Sequence, residues 1–150
     1  MDGCKHYKVL NGIDRAQGYT LSRQQKCDSD LELGWYRFHG LAGDQMADKC
    51  VPMLRCGTVA PGWLSGGHPT VADGVVVRKA CYHWLSCCGH SDDIQVQNCG
   101  AFFVYELKKP PSCNLRYCGN GSAGKVLCWL LGRLQSKKPI IVKVWLGKEV

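Results

Sequence analysis

The stretch VRKACYHWLSCCGHSDDIQVQNC, residues 77–99, decides the fold of this chain. Its two ends belong to segments rich in β-branched and aromatic residues, 74–84 and 94–99, which predict two strands. In the second segment isoleucine and valine alternate with glutamine, a period of two that predicts a strand with one buried face and one solvent-exposed face. Between the strands lie the adjacent cysteines Cys87 and Cys88, whose side chains point to opposite faces of an extended chain. One short segment can therefore be bridged in two directions.

Two further strands and one helix are expected on either side of this stretch. Residues 34–40 and 101–107 are again rich in aromatic and β-branched residues and predict strands. Residues 42–49 carry the one short helical pattern. The pair Pro110-Pro111 is expected to close the last strand, because proline has no N–H to donate inside a sheet. The sequence thus predicts a mostly β fold with antiparallel strands and one short helix.

Cysteine is the most unusual feature of the composition. The chain has 11 cysteines in 150 residues, and ten of them lie between Cys4 and Cys118. That density is typical of small, disulfide-rich, secreted domains. A zinc site is disfavoured, since the sequence has no C-x-x-C pair and no closely spaced pair of histidines. Spacing alone leaves the disulfide pairing open among roughly a thousand connectivities.

The N-terminus has no export signal, although the cysteine content indicates an oxidising compartment. Residues 1–6, MDGCKH, lack the apolar segment that a signal peptide needs. We therefore expect a secreted or extracellular protein whose N-terminus is incomplete in this chain, or a fragment of a larger secreted protein. No run of 18 or more apolar residues is present, so no membrane span is expected.

The net charge of +7 is unevenly distributed along the chain. Residues 1–118 carry 13 basic and 11 acidic side chains, whereas residues 119–150 carry six basic and one acidic. A nucleic-acid-binding domain normally has a basic face on its folded body, so nucleic acid is not expected as a partner. The tail has a helical pattern at 126–134 and a strand pattern at 140–146, and we expect it to be less ordered than the rest.

Catalytic and cofactor motifs are not present in the sequence, so we expect no enzyme activity, no cofactor and no metal site. The histidines are scattered and are expected at the surface or in hydrogen bonds: His6, His39, His68, His83 and His90. The pair Asp92-Asp93 is expected in a solvated turn rather than as a carboxylate pair or calcium site. Trp35, Trp63 and Trp84 are expected to build the core, with a sugar-stacking platform as the alternative.

The segments between the cysteines follow one another in a distinctive order. They read CDSDLELGWYRF (27–38), CVPMLRCGTVAPGWLSGGHP (50–69), VRKACYHW (77–84), CC, IQVQNC, FFVYEL and PPSCNLRYC. This order closely resembles the cysteine-rich domain, counted as eight or ten cysteines, of the family of uromodulin, the pancreatic secretory granule major glycoprotein and oncoprotein-induced transcript 3 protein. The resemblance is strongest over 27–118, extends weakly back to Cys4, and ends at Ser122.

The resemblance implies five disulfides and a division of the chain. The implied pairs are Cys4 with Cys99, Cys27 with Cys113, Cys50 with Cys87, Cys56 with Cys118, and Cys81 with Cys88. The chain then divides into an extended lead-in belonging to the domain (1–26), the domain core (27–118) and a basic, apolar tail (119–150). Cys128 remains as the odd cysteine. We expect it to be a small hydrophobic side chain on a helix face, with an intermolecular bridge as the alternative.

The resemblance also implies glycan display, since in the family this domain is part of an arm that carries N-glycans, and high-mannose chains there serve as decoys for bacterial adhesins. Two positions that carry sequons in uromodulin hold Glu106-Leu107-Lys108 and Ser65-Gly66-Gly67 here, and neither can be glycosylated. The remaining sequon is Asn120-Gly121-Ser122, predicted to form an exposed, glycosylated turn.

The expected function is that of a non-catalytic extracellular interaction or structural module, belonging to a larger secreted or cell-surface glycoprotein. Its expected partners are extracellular proteins or glycans. The alternative is a glycan-presenting or glycan-binding defence decoy for microbial adhesins.

Overall fold

The structure is a computed structural model that describes residues 1–123 of the chain. The helix expected over 126–134, the strand expected over 140–146 and Cys128 lie outside the described residues.

Seven strands form one sheet. They are β1 (Lys8–Leu10), β2 (Gly34–Phe38), β3 (Ala60–Ser65), β4 (Val75–Trp84), β5 (Ser86–Asn98), β6 (Phe103–Leu107) and β7 (Leu115–Tyr117). The strand order is β1-β2-β6-β5-β4-β3-β7. Neighbours are antiparallel except β1 with β2 and β3 with β7, which are parallel. The mostly β, disulfide-rich fold expected from the sequence is confirmed.

One face of the sheet carries the core. Tyr36, Tyr105, Val96 and Val76 lie opposite one another on β2, β6, β5 and β4. All four belong to or pack against one hydrophobic cluster. The alternation expected on β5 is present, since Val96 is fully buried while Gln95 beside it is exposed. The largest fully buried side chains are Tyr82, Tyr105 and Tyr117. The Tyr117 hydroxyl donates to Lys108 O at 3.0 Å, and the Tyr105 hydroxyl accepts from Met46 N–H at 2.9 Å.

The helix expected over 42–49 is absent, and that prediction is wrong. The helical segments of the described chain are three short 3-10 turns, at Ile13–Arg15, Gly40–Ala42 and Val71–Asp73. Residues 42–49 instead use their backbone to bond to neighbouring segments: Ala47 N–H donates to Cys118 O at 2.9 Å and Ala47 O accepts from Leu64 N–H at 2.7 Å. Long-range pairing has outweighed a weak local propensity here.

Three strands were not expected from the sequence: β1, β3 and β7. Two of them have only three residues, too short for a periodic pattern. The third, β3, contains Pro61. Ala60 N–H donates to Asn114 O on the β7 side, so the Pro61 nitrogen faces the β4 side, where pairing begins only at Gly62. The missing N–H therefore costs no ladder bond.

Two local expectations about β5 and β6 also need correction. Asp92 and Asp93 lie within β5, not in a turn, because this strand begins already at Ser86. Pro110-Pro111 follows β6 but does not end the sheet, since β7 comes after it.

Candidate functional site

Five disulfides tie distant parts of the chain together. The structure joins the pairs that the family resemblance implies, namely Cys4–Cys99, Cys27–Cys113, Cys50–Cys87, Cys56–Cys118 and Cys81–Cys88. Cys4–Cys99 connects the lead-in to the second half of the chain across 95 residues of sequence, and Cys27–Cys113 connects the start of the core to its end across 86 residues. Bridges that close such long loops stabilise a fold largely by restricting its unfolded chain.

The adjacent cysteines stabilise the end of the β4–β5 hairpin. Cys87 bonds to Cys50 and Cys88 bonds to Cys81, so the two side chains reach different partners. The hairpin tip, Leu85, is 83% exposed and has a φ of 64°. A leucine adopts this left-handed conformation only where the surrounding structure enforces it. Two disulfides directly after the tip supply that constraint.

A possible metal cluster coincides with one of these disulfides. Within residues 1–123, the ligand atoms of Cys50, His83 and Cys87 lie within 4.8 Å of one another. Cys50 and Cys87 are bonded to each other, so neither offers the thiolate that zinc requires. His83 Nδ1 lies 2.8 Å from Val51 O, where its N–H donates to the carbonyl. In this state the three residues form a hydrogen-bonded disulfide rather than a metal site.

A buried ion cluster joins the lead-in to the sheet, and sequence reasoning missed it. The Asp28 side chain is 1% exposed and is bonded by both terminal nitrogens of Arg15 and by Tyr117 N–H. Arg116 bonds to Asp14 at 3.0 Å and lies 3.8 Å from Asp28. Burial, and then the neighbouring Arg15 charge, lower the pKa of Arg116. The sequence contained one signal for this cluster. Asp28 directly follows Cys27, Arg116 lies near Cys113, and these two cysteines are bonded to each other.

The sequon asparagine has a structural role in the folded chain. Asn120 Oδ1 accepts from Asp44 N–H at 3.0 Å, and Asn120 Nδ2 donates to Asp44 Oδ1 at 2.8 Å. Asn120 is half-buried rather than exposed as expected, and a Cβ on Gly43 would lie 2.1 Å from its Oδ1. The nitrogen that would carry a glycan is thus already hydrogen-bonded.

Trp63 packs against a small hydrophobic cluster of Ala47, Val51, Cys56 and Cys118, whereas the expectation of a core position is wrong for Trp35 and Trp84. Trp84 is 41% exposed, and Trp35 and Trp63 are half-buried. Trp63 Nε1 donates to Cys87 O at 2.7 Å, and the Trp35 indole is covered on one side by Gly3. The three lie on different strands or strand ends, so the structure does not bring them together as one platform.

The outward face of the sheet carries a row of four side chains in register. Trp35 on β2 lies opposite Glu106 on β6, Glu106 opposite Gln95 on β5, and Gln95 opposite Val77 on β4. Each member is next in sequence to a member of the buried row, so the four point away from the core. We call this set the outward row.

Two surface cavities follow the outward row. One, of about 340 Å³, is lined by Val77, Gln95 and Glu106 together with Leu33. The other, of about 490 Å³, lies between Trp35 and the N-terminal segment, and is lined by Met1, residues 5–8 and again Leu33. Leu33 lines both cavities. We call the first cavity, which spans the β4, β5 and β6 members of the outward row, the groove.

The histidines do not converge with carboxylates on this groove. The His68 side chain is 9% exposed, and its Nε2 lies 2.8 Å from the Tyr105 hydroxyl. Burial lowers the pKa of His68, while nearby Asp48 opposes the shift. Within residues 1–123, no helix is long and apolar enough to span a membrane.

Comparisons with known proteins identify the family. The family model of the uromodulin-like domain matches residues 36–119. Rat uromodulin is 47% identical over 129 residues, which is 85% of this chain and 20% of that protein. The dog pancreatic secretory granule membrane major glycoprotein GP2 is 42% identical over 146 residues, 96% of this chain and 28% of that protein. The human form of the same glycoprotein is 41% identical over 119 residues, 78% of this chain and 22% of that protein.

The chain spans between about a fifth and just over a quarter of the length of these relatives. The matched region contains eight of the ten disulfide-bonded cysteines and all the strands except β1 and the first two residues of β2. On the matching family model and on these identities, the chain belongs to the uromodulin-like domain family.

Proposed function

We propose that the chain is a non-catalytic interaction or structural module of a larger extracellular glycoprotein. The observation that carries this proposal is the set of five disulfides, which hold a seven-stranded sheet together. Such a scaffold keeps the surface rigid before a partner binds, so that little conformational entropy is lost on binding. Disulfides of this density persist in oxidising compartments, which supports a secreted location.

The domain organisation forms part of the proposal. Residues 1–26 belong to the module because Cys4 bonds to Cys99 and Arg15 bonds to Asp28. Residues 27–118 are its core, and the basic segment 119–150 begins inside the fold, since Gly119 N–H donates to Arg15 O and Asn120 N–H donates to Gln45 O. The lengths of the relatives support a larger parent protein, since the chain matches only a part of each.

Export and disulfide formation test the proposal. The full chain would be produced in mammalian cells with an added export leader and, in parallel, without one. We expect the exported protein to contain the five disulfides and the leaderless protein to be unstable. A leaderless protein that is reduced, folded and equally stable would overturn the proposal.

Interaction requires its own readout. A peroxidase fused to the exported chain would label proteins and glycoproteins on intact cells, with a reduced and alkylated sample as the control. Labelling above that control is expected. Equal labelling by both samples would remove the claim that the folded surface makes specific contacts.

A second candidate function is glycan presentation to microbial adhesins, and it depends on Asn120. The sequon supports it, while the hydrogen bonds between Asn120 and Asp44 oppose it in the folded chain. Mannose-sensitive retention on adhesin-bearing bacteria would be measured for the exported chain. Ser122→Ala is the decisive variant, because Ser122 is exposed and its loss removes the sequon without touching the Asn120 contacts. Retention that survives Ser122→Ala excludes this function.

A further inference from the structure

We propose that the outward row of Trp35, Glu106, Gln95 and Val77 binds a neutral, linear oligosaccharide of about three sugar rings. The inference rests on the proposed function, since it gives the non-catalytic module a ligand and a site.

The length of the outward row sets the length of the ligand. Its four side chains lie on four neighbouring strands, in the order β2, β6, β5 and β4. Three steps of about 4.8 Å between strands give a row of about 14 Å, which matches about three pyranose rings in an extended chain. The groove lies along three of these four side chains, Val77, Gln95 and Glu106, and the second cavity lies beside Trp35 at the β2 end of the row.

The middle of the row offers unused hydrogen-bonding groups. Among the described residues, neither the Gln95 amide nor the Glu106 carboxylate has a hydrogen-bond or ion-pair partner, whereas Asp93 beside them bonds to Lys79 at 3.1 Å. An amide provides donors and an acceptor, and a carboxylate provides acceptors only. Adjacent sugar hydroxyls both donate and accept, so they satisfy this pair of groups.

The two ends of the row offer apolar contact. Trp35 lines the larger cavity, and Gly3 packs against its ring, which holds the indole in place before any ligand binds. Val77 is 62% exposed at the other end. Sugar rings have an apolar face of C–H groups, and a flat aromatic side chain with low rotamer entropy is a favourable contact for it.

The charges near the groove favour a neutral ligand. Asp93 is paired with Lys79, and Asp92 with Lys108, so these charges largely cancel. Lys5 and Lys8, which line the cavity beside Trp35, are paired with Asp2 and Glu32. Glu106 then remains as a carboxylate without a cation among residues 1–123, and it would repel an acidic glycan.

A peptide is a poorer fit than a saccharide. The row crosses the strands, and the strands bond to one another beneath it. An extended peptide laid along it would meet side chains and no free backbone partners, so the main-chain pairing that usually binds such peptides is not available.

Titration of the full, disulfide-bonded chain with defined saccharides tests the inference. Cellotriose, maltotriose, mannotriose and triacetylchitotriose would each be added to ¹⁵N-labelled protein up to about 10 mM, a range that detects weak affinities. We expect at least one to shift the Trp35 indole and Gln95 amide signals saturably, and its monosaccharide to bind more weakly.

Variants on the same face supply the controls. Gln95→Ala and Glu106→Ala should each weaken binding by about tenfold, the effect of losing one good hydrogen bond. Gln97→Ala is the matched control, because Gln97 lies on the same strand and face but opposite Val75 and Val104. Glu106→Gln should leave binding of a neutral sugar within about threefold, since the acceptor oxygen is kept.

Three outcomes would overturn the inference. One is the absence of saturable shifts at the row with every trisaccharide, and another is a loss in Gln97→Ala equal to that in Gln95→Ala. The third is binding of acetylated trilysine in the groove that Glu106→Gln abolishes, which would identify a cationic peptide as the ligand. None of these results affects the outcome of the export and disulfide assay, so the proposed function is tested independently of this inference.

Discussion

Replacing Asp28 by asparagine tests whether the buried ion cluster holds the lead-in on the sheet. The Asp28 carboxylate is bonded by two nitrogens of Arg15 and by Tyr117 N–H. Asparagine has nearly the same shape but only one acceptor oxygen, and its NH₂ group would face a donor. Asp28→Asn therefore removes a counter-charge and at least one charge-assisted hydrogen bond without leaving a cavity.

The expected loss of stability is large because the cluster is nearly inaccessible to water. The side chains of Arg15, Asp28 and Arg116 are 10%, 1% and 8% exposed. Removing one partner of a buried ion pair costs about 3–5 kcal/mol, since the remaining charge stays buried without compensation. Arg15 retains one other acceptor, Tyr117 O at 3.0 Å, and we therefore expect about 3 kcal/mol.

Guanidinium unfolding with the disulfides intact measures this loss. A change of about 3 kcal/mol should lower the unfolding midpoint by about 1 M with an unchanged slope. The control is Asp93→Asn, which breaks the Lys79–Asp93 pair, whose side chains are 61% and 65% exposed. Exposed pairs contribute about 0–1 kcal/mol. If Asp28→Asn costs no more than this control, the cluster does not secure the lead-in and the reasoning is refuted.

Three further predictions concern other parts of the fold. Burial holds the pKa of His68 below its usual 6.5, so the unfolded chain binds the extra proton first as the pH falls. The contribution of His68 to stability should therefore be present above pH 6.5 and be lost as the pH drops below it. Urea midpoints of His68→Gln should lack this part of the pH dependence, and a midpoint that varies with pH as in the unsubstituted chain would contradict the prediction. Gly119→Ala should cost about 1–3 kcal/mol or prevent folding, because a Cβ there would lie 2.0 Å from a backbone oxygen, whereas Gly34→Ala, with nothing within 4 Å, should change the thermal midpoint little. Peptide mapping without reduction should recover Cys87 and Cys88 on different partners, and a fragment in which they are bonded to each other would disprove the framework.

The periodic parts of the fold could be predicted from the sequence. Residues 34–40, 74–84 and 101–107 were expected as strands and contain β2, β4 and β6. These segments are long enough for β-branched and aromatic residues to mark them. The expectation at 94–99 found only the second half of β5, because its first half, SCCGHSDD, has no apolar alternation and is held in the hairpin by pairing with β4.

Elements without a local pattern were missed or misjudged for physical reasons. The segment 42–49 has helix-forming residues, but its backbone groups bond to Cys118 and Leu64, far away in sequence. The tryptophans are large and apolar, which favoured the core, yet Trp35 has the strand parity of the outward face because Tyr36 beside it is buried. Neither fact is visible before the long-range pairing is known.

The outward row could not be derived from the sequence because it depends on register between four strands. Alternation shows that Gln95 points outward, but not which residue of β4 or β6 lies beside it. In the structure the register is fixed by the buried side chains themselves: a slip of β5 by one residue would turn Ile94 and Val96 to the solvent. The Cys81–Cys88 bridge adds a covalent constraint to the same hairpin. The strand register that buries the core side chains therefore also aligns the outward row. A substitution that keeps this register is expected to keep the row aligned.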